Sequence, residues 1–582
     1  MAELRLVDRV DVKFQGERGG DGPLTFGQSN TLQWVVISEM EQSIQSMLPW
    51  VFDVPDRTRF EDVAEVLSIV LARNESLRTT YHAEAGSSFQ RVAESGALTV
   101  DVYHCAQYGD AETRDLVGLM RDRPFDLAQD LHVRVAVVMG SGDADGGNGN
   151  GNGAPDESGF VSAVIAMYTH MAVDFGALAV INEQFVELIA DPAARHVGPL
   201  AHQPLDQAAF ERSERGQRQN DRAMRYWSEQ LRIRPQCQFP MTAAPEPKPL
   251  SGLLLAREVT QALPRIMERT GASAPTVTLA AMFAVLAGRT GQRHIVFSSL
   301  SNNRSGRLRE YVGTLAQDSL VLVDADAESF DELVRRMSTA ILKANRHSLY
   351  DPHSLEPMAI DIEWERGMRS ARDCAFNNLS AHEVSEGTLK LHSAQISSAR
   401  ESGSLGWKEP DFDPVALRFA MVKWAGQILL DISTGHTGWL PAAEIESLLG
   451  ALQQLVAAAA DQDVELAQLA EITGIKTIHR DTDWHIVDNS WIQQSAVQAL
   501  LDHALPASSA HAIVGADATV TAYLRRTDAV PTPKAAHTAC MVSLRAHPTA
   551  VAPTYYVLAD EAPTDPAAWP QQSVRAEGDG RK

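Results

Sequence analysis

The sequence predicts a mixed fold, α/β (α+β), arranged as two halves followed by a small third unit. Two stretches of alternating strand-like and helix-like segments predict the halves, one from about Leu6 to Leu188 and one from about Gly252 to Ala470. A change of texture after about Ile475, into sequence richer in alanine and proline, predicts the third unit. The expected domains are 1–190, 191–475 and 476–582, the last ending in a disordered tail.

Residues 60–71 (FEDVAEVLSIVL) place apolar side chains at helical spacing, so a helix is expected there. Phe89–Val92, His132–Val138 and residues 160–166 (FVSAVIA) read as strands. Between the last two lies a glycine/asparagine tract within 140–159, which has no side chains able to build a core. It reads as a disordered hairpin insertion or as a tether. In the second half, Thr276–Ala287 (TVTLAAMFAVLA) is apolar all round, as a helix buried between layers would be. His294–Ser299, Leu320–Val323 and Gln427–Ile432 read as strands.

The chain has 582 residues, more than one hydrophobic core serves, so two or three domains are expected. Its 44% hydrophobic and 22% charged content is that of a soluble globular protein. No run of eighteen apolar residues predicts a membrane span. The charged first residues, Met1 to Asp8, lack a signal-peptide core, and a cytoplasmic location is expected. Cys105, Cys237, Cys374 and Cys540 have no paired spacing and suit neither a disulfide framework nor a zinc site. A formal net charge of −24 argues against a nucleic-acid partner, whose binding needs a basic surface. No cofactor or metal is expected to be bound intrinsically.

The richest stretch follows the strand at 160–166. Met167 to Gly176 (MYTHMAVDFG) puts His170 and Asp174 four residues apart, where the strand ends and a small-residue turn is expected. Acyl transfer needs a base beside its nucleophile, and imidazole titrates near neutral pH. Alone, H-x-x-x-D is a common pattern.

Its neighbours make it specific. Pro23–Gln28 (PLTFGQ), Arg73–Tyr81 (RNESLRTTY), Pro124–Leu127 (PFDL), Thr169–Gly176, Pro204–Gln207 (PLDQ), Asn303–Arg304, Val312–Leu315 (VGTL) and Phe376–Leu379 (FNNL) occur in the order of one family's motifs. Over residues 6 to 475 the chain resembles a free-standing condensation domain of nonribosomal peptide synthesis, a relative of chloramphenicol acetyltransferase. The resemblance implies two acetyltransferase-like lobes forming a V-shaped pseudo-dimer around a tunnel. Peptidyl or acyl carrier proteins would deliver thioesters on phosphopantetheine arms, and an amine or alcohol acceptor would attack.

By the same resemblance, His170 is the catalytic histidine and Asp174 is structural, paired with Arg304 from the other lobe. Asn377 or Asn378 either hydrogen-bonds the reacting group or simply closes a strand. Arg73, Glu75 and Arg78 are fold and tunnel-wall residues, and Gln28 and Asp206 mark motifs. Two positions depart from the pattern. Thr169 stands where the family has a first histidine, and Phe175 where it has a glycine. Gly176 follows and is expected to restore the turn.

After residue 475, a helix at Trp491–Leu501, strands at Ala512–Val514 and Val520–Leu524, a helix near Ala536–Ala546 and a strand at Pro553–Leu558 are expected. The order resembles the small C-terminal subdomain of adenylating enzymes. Trp569 stands where that subdomain has its catalytic lysine, which implies a degenerate unit. The arginine-rich stretch from Glu211 to Arg222 reads as a solvated helix or as a docking face for an acidic carrier. Rival readings of the whole are a coenzyme A-dependent acyltransferase and a carrier-binding scaffold without catalysis.

Overall fold

The computed structural model describes residues 4–37, 47–84, 87–140, 159–196, 198, 201–236, 239, 248–370, 373–380, 405–409, 415–424, 426–506 and 509–582. All but the two ends of the expected insertion at 140–159, and Cys237, lie outside the described residues. The chain divides into two units. The first comprises Met1–Asn220, Ser301–Gln317 and Ser380–Gly406, and the second Asp221–Leu300, Asp318–Leu379 and Trp407–Lys582.

The first unit holds strands β1 (Arg5–Gln15), β2 (Gly20–Pro23), β3 (Met47–Phe52), β4 (Thr79–Glu84), β5 (Ser87–Val92), β6 (Ser95–His104), β7 (Val133–Met139) and β8 (Val161–Thr169). Its helices are α1 (Phe26–Ile37), α2 (Phe60–Arg73), α3 (Asp110–Arg121), α4 (Phe175–Ala190) and α5 (Pro204–Arg212). A five-stranded sheet runs β1-β6-β7-β8-β3, and a three-stranded one β2-β5-β4.

Strand β8 shows why its sequence is apolar from Ala163 to Met167. Side chains alternate between faces, so Val164, Ala166 and Tyr168 join the core with α2 and α4. Ala163, Ile165 and Met167 join Leu116, Val117 and Met120 of α3 on the other face. With both faces covered over that stretch, its positions favour apolar residues, while Ser162 near the strand start is exposed.

The arginine-rich stretch falls on the end of α5 and the start of α6 (Glu214–Ile233). Arg215, Arg218 and Arg222 are exposed there, and Arg218 pairs with Glu214 one turn back.

The second unit holds β9 (Leu250–Leu255), α7 (Arg257–Thr270), α8 (Ala274–Thr290), β10 (His294–Ser301), β11 (Gln317–Asp324), α9 (Phe330–Arg346), α10 (Pro352–Arg366), β12 (Cys374–Asn378), β13 (Gly406–Lys408), β14 (Leu417–Trp424) and β15 (Gln427–Thr434). These strands form one sheet in the order β11-β10-β12-β14-β15-β9-β13. Helix α8 is apolar because it is buried, packed on α9 and on a helix at Ala442–Ala458. It ends at Gly291, whose φ of 63° is the left-handed conformation that glycine adopts without strain. No single described helix is long and apolar enough to cross a membrane.

Residues after 475 belong to this second unit. The stretch expected as a helix from Trp491 instead begins with a hairpin, β16 (Trp484–Val487) and β17 (Ser490–Gln493), and the helix is Gln494–Ala504. Asp488 and Asn489 turn the hairpin with φ of 45° and 63°, a tight-turn geometry that Asp and Asn tolerate. A four-stranded sheet follows, β18 (Ala510–Val514), β19 (Val520–Arg525), β20 (Tyr555–Ala559) and β21 (Val574–Asp579), in that order.

The edge of β18 is not left open. Gln498 accepts from Ala512 N and donates to Ala510 O, and Gln494 accepts from Val514 N, at 3.0, 3.1 and 3.2 Å. The chain end, expected to be disordered, is strand β21 followed by Arg581, which donates to the Arg366 carbonyl at 2.8 Å. Gln236 ties the same region down by donating to the carbonyls of Pro548 and Ala550 at 2.7 and 2.5 Å. Cys105, Cys374 and Cys540 are buried.

Candidate active site

Strand β8 ends at Thr169, and α4 begins at Phe175, so His170 sits on a five-residue connection. The chain turns at His170–Ala172 as β8 ends, and Asp174 then caps α4: its Oδ1 accepts from Ala177 N at 2.9 Å. That bond satisfies one of the free N–H groups at the helix start, and the helix needs no glycine to begin. Within the connection, Ala172 N and Val173 N both donate to Thr169 O, at 3.1 and 3.2 Å. The Tyr81 hydroxyl donates to Met171 O at 2.7 Å, and the Ser76 hydroxyl donates to Ala172 O.

Asp174 does more than cap. Arg304 Nη2 lies 2.6 Å from Oδ1, and Nη1 donates to Oδ2 at 2.9 Å. The backbone N–H groups of Leu315 and Ala316 donate to Oδ2 at 2.8 and 2.9 Å. The two side chains are 3% and 5% exposed, so this is a buried bidentate pair with supporting hydrogen bonds. Burial pushes the Asp174 carboxyl upward, but the Arg304 charge and the converging N–H groups outweigh it and hold the group below its ordinary 3.8. Arg304 is fixed in turn by the carbonyls of Gly313 and Asn302, at 2.8 and 3.1 Å. The arginine segment, Ser301–Gln317, lies in the same unit as Asp174.

Gly176 lies inside α4 rather than in a turn, and its role is to leave room. A Cβ there would stand 2.6 Å from Arg304 Nη1. Phe175 occupies the first helical position and sets its ring edge-on to Trp50, with centroids 6.0 Å apart.

His170 is half-buried. Burial holds its imidazole below the ordinary 6.5, with the Asp174 charge and the Val173 backbone working in the opposite direction. It is therefore neutral at neutral pH, the state in which imidazole accepts a proton.

Thr169 faces a residue that the sequence reading left unmarked. Its Oγ1 lies 2.9 Å from Nδ1 of His132, which is fully buried at the head of β7. The strand register pairs Val133 with Tyr168, which sets His132 opposite Thr169. That register is the signal that identifies the contact.

The other motif residues hold the fold. Glu75, buried, pairs with Arg18 at 2.5 Å and accepts from Leu205 N at 3.2 Å. Arg78, fully buried, donates to the carbonyls of Arg18 and Ala93 at 2.7 and 2.5 Å. Arg73 donates to His196 O at 2.5 Å. Gln28 lies within α1 and accepts from Thr25 N at 2.9 Å, and Asp206 completes the capping box of α5. Asn377 and Asn378 close β12 in the second unit, in register with Ala420 and Met421 of β14. Among the described residues no group of three or more His, Cys, Asp or Glu is placed to hold a metal.

A mixed-sheet unit with H-x-x-x-D at a strand end, its carboxylate tied to a distant arginine, is the arrangement that the motif order implied. Residues 167–401 match the family model for the Condensation domain, a span that includes His170, Asp174, Arg304, Asn377 and Asn378. The beauvericin nonribosomal cyclodepsipeptide synthetase of Beauveria bassiana is 22% identical over 339 residues, 56% of this chain and 10% of that protein. The chain thus spans about a tenth of the length of this curated relative. The first condensation domain of the CDA synthetase superposes with a TM-score of 0.54 at 17% identity, over 76% of this chain and 99% of that one. The epimerization domain from the third module of tyrocidine synthetase B gives 0.56 at 13% identity, over 77% and 99%. The fold is shared by domains named for different reactions, so the chemistry rests on the site.

Proposed function

We propose that the protein is a condensation enzyme of natural-product biosynthesis. It moves an acyl or aminoacyl group from a carrier-protein phosphopantetheine thioester to an amine or alcohol. One observation carries this reading: a half-buried His170 on a connection held at both ends by buried hydrogen bonds. The acceptor N or O attacks the thioester carbonyl, and the new C–N or C–O bond forms as the C–S bond breaks. His170 takes the proton from the nucleophile and returns it to the departing thiolate, so the thiol leaves neutral. An amine that arrives uncharged needs mainly orientation, whereas an alcohol needs the base. Asp174 and Arg304 set the position of His170 and touch no substrate in this scheme.

The test offers acyl groups on carrier protein or on coenzyme A, with amine and alcohol acceptors, to wild type and His170→Ala. Products are read by intact mass. Product from carrier thioesters with wild type alone supports the reading. Turnover of coenzyme A thioesters but not carrier thioesters selects a coenzyme A-dependent acyltransferase. No product from any donor selects a carrier-binding scaffold.

A further inference from the structure

His170 is gripped through both of its sequence neighbours. On one side, Thr169 Oγ1 lies 2.9 Å from His132 Nδ1. On the other, the Tyr81 hydroxyl donates to Met171 O at 2.7 Å. The two gripping residues are joined to each other. The ring of Tyr81 stands edge-on to His132 with centroids 4.9 Å apart. Leu127 O receives Tyr81 N–H at 2.7 Å and lies 3.2 Å from His132 Nε2.

That shared carbonyl decides the tautomer. A carbonyl only accepts, so Nε2 carries the proton, and Nδ1 is left to accept from the Thr169 hydroxyl. His132 is fully buried and Tyr81 is 3% exposed, so neither reaches a substrate. Burial lowers the His132 imidazole to about 4, against the Leu127 carbonyl and the carboxylates of Asp130 and Asp126, with Arg134 adding to the lowering. His132 stays neutral, and the bond pattern holds, across the range in which an acyltransferase works. The charge that bears on His170 is that of Asp174.

We infer that His132 and Tyr81 are positioning residues that clamp the two residues flanking His170, and that Thr169 is the link through which His132 acts. This deepens the acyl-transfer reading and rests on it for its kinetic consequence. Thr169 then has a definite use: a hydroxyl is the group that lets the imidazole of β7 hold the end of β8. Loosening either grip exposes the half-buried His170 ring further to water. Its protonation midpoint rises toward 6.5, and its alignment with the thioester carbonyl is lost.

The experiment measures carbethoxylation of His170 by diethyl pyrocarbonate against pH, quantified by peptide mass. It compares wild type, Thr169→Val, Thr169→Ser, His132→Phe, Tyr81→Phe and the double variant Thr169→Val/His132→Phe, each checked for an intact melting transition. The wild-type midpoint lies below 6.5. It rises in Thr169→Val, His132→Phe and Tyr81→Phe and stays in place in Thr169→Ser, which keeps the hydroxyl. The double variant moves no further than its stronger single, because both changes break one bond. With a carrier thioester, kcat falls about tenfold to a hundredfold while KM holds. Midpoints that do not move in folded Thr169→Val and Tyr81→Phe overturn the clamp. Absence of product from every wild-type reaction sinks the acyl-transfer reading instead, and the modification arm still decides the clamp.

Discussion

Replacing Arg304 by glutamine removes the cation from a carboxylate that five N–H groups reach. Breaking a buried ion pair costs about 3–5 kcal/mol because a charge is left without its partner. Here Ala177, Leu315 and Ala316 N–H groups remain on Asp174, so Arg304→Gln belongs at the low end, about 3 kcal/mol. Asp174→Asn belongs at the high end, about 5 kcal/mol, for a geometric reason. Its amide must turn NH2 either toward Ala177 N–H or toward the Leu315 and Ala316 N–H pair, donor against donor, while Arg304 loses its anion.

At about 2–4 °C per kcal/mol for a unit of this size, Arg304→Gln lowers the melting of the first unit by about 6–12 °C, and Asp174→Asn by more. Calorimetry that follows each unit's transition is the assay, since two units need not melt as one. The sign with pH follows from the depressed Asp174 carboxyl. Its contribution is complete above the ordinary 3.8 and fades only as pH falls below that value. The deficit of Arg304→Gln is therefore constant from pH 5 to 8 and shrinks in acid. A loss under about 1 kcal/mol, the size of an exposed pair, refutes the reasoning; so does an Arg304→Gln deficit larger than that of Asp174→Asn.

Because burial lowers His170, the acid limb of a kcat/KM profile for the proposed acyl transfer has its midpoint below 6.5. Gly176→Ala sets a methyl against a guanidinium that cannot yield, so melting of the first unit falls by the equivalent of about 1–3 kcal/mol. Gly118→Ala in α3, with open space around its Cβ, raises it by about 0.5–1 kcal/mol. Gln236→Leu strands the Pro548 and Ala550 carbonyls, costs about 1–3 kcal/mol, and speeds limited proteolysis beyond residue 475.

The strands and helices that were legible from sequence are those whose burial imposes a pattern. Helix α2 has one buried face, and β8 has two, and each writes that directly into its residues. The Asp174–Arg304 pair was legible through the order of motifs, which singled out one H-x-x-x-D from a common local pattern. His132 was not legible alone, because a single polar residue at the head of an apolar strand acquires meaning only from Thr169, which lies 37 positions away. The helix start at Phe175 was missed because Gly176 was expected in a turn, when the Asp174 side chain caps the helix and Gly176 lies inside it. The hairpin of β16 and β17 was missed because its second strand runs straight into a helix, which merges the two patterns. Its turn residues, Asp488 and Asn489, did carry the signal.

The carboxylate of Asp174 also sets a clock on biosynthesis. Its partners Arg304, Leu315 and Ala316 lie 130, 141 and 142 residues further along the chain. At about 5–20 residues per second the ribosome takes roughly 7–28 s to supply them. Throughout that interval β8 and α4 exist without the cation that balances their shared carboxylate. The connection carrying His170 therefore closes late, after α7, α8 and β10 have all been made. A chain that stalls after residue 220 displays the histidine without the arginine that holds its loop.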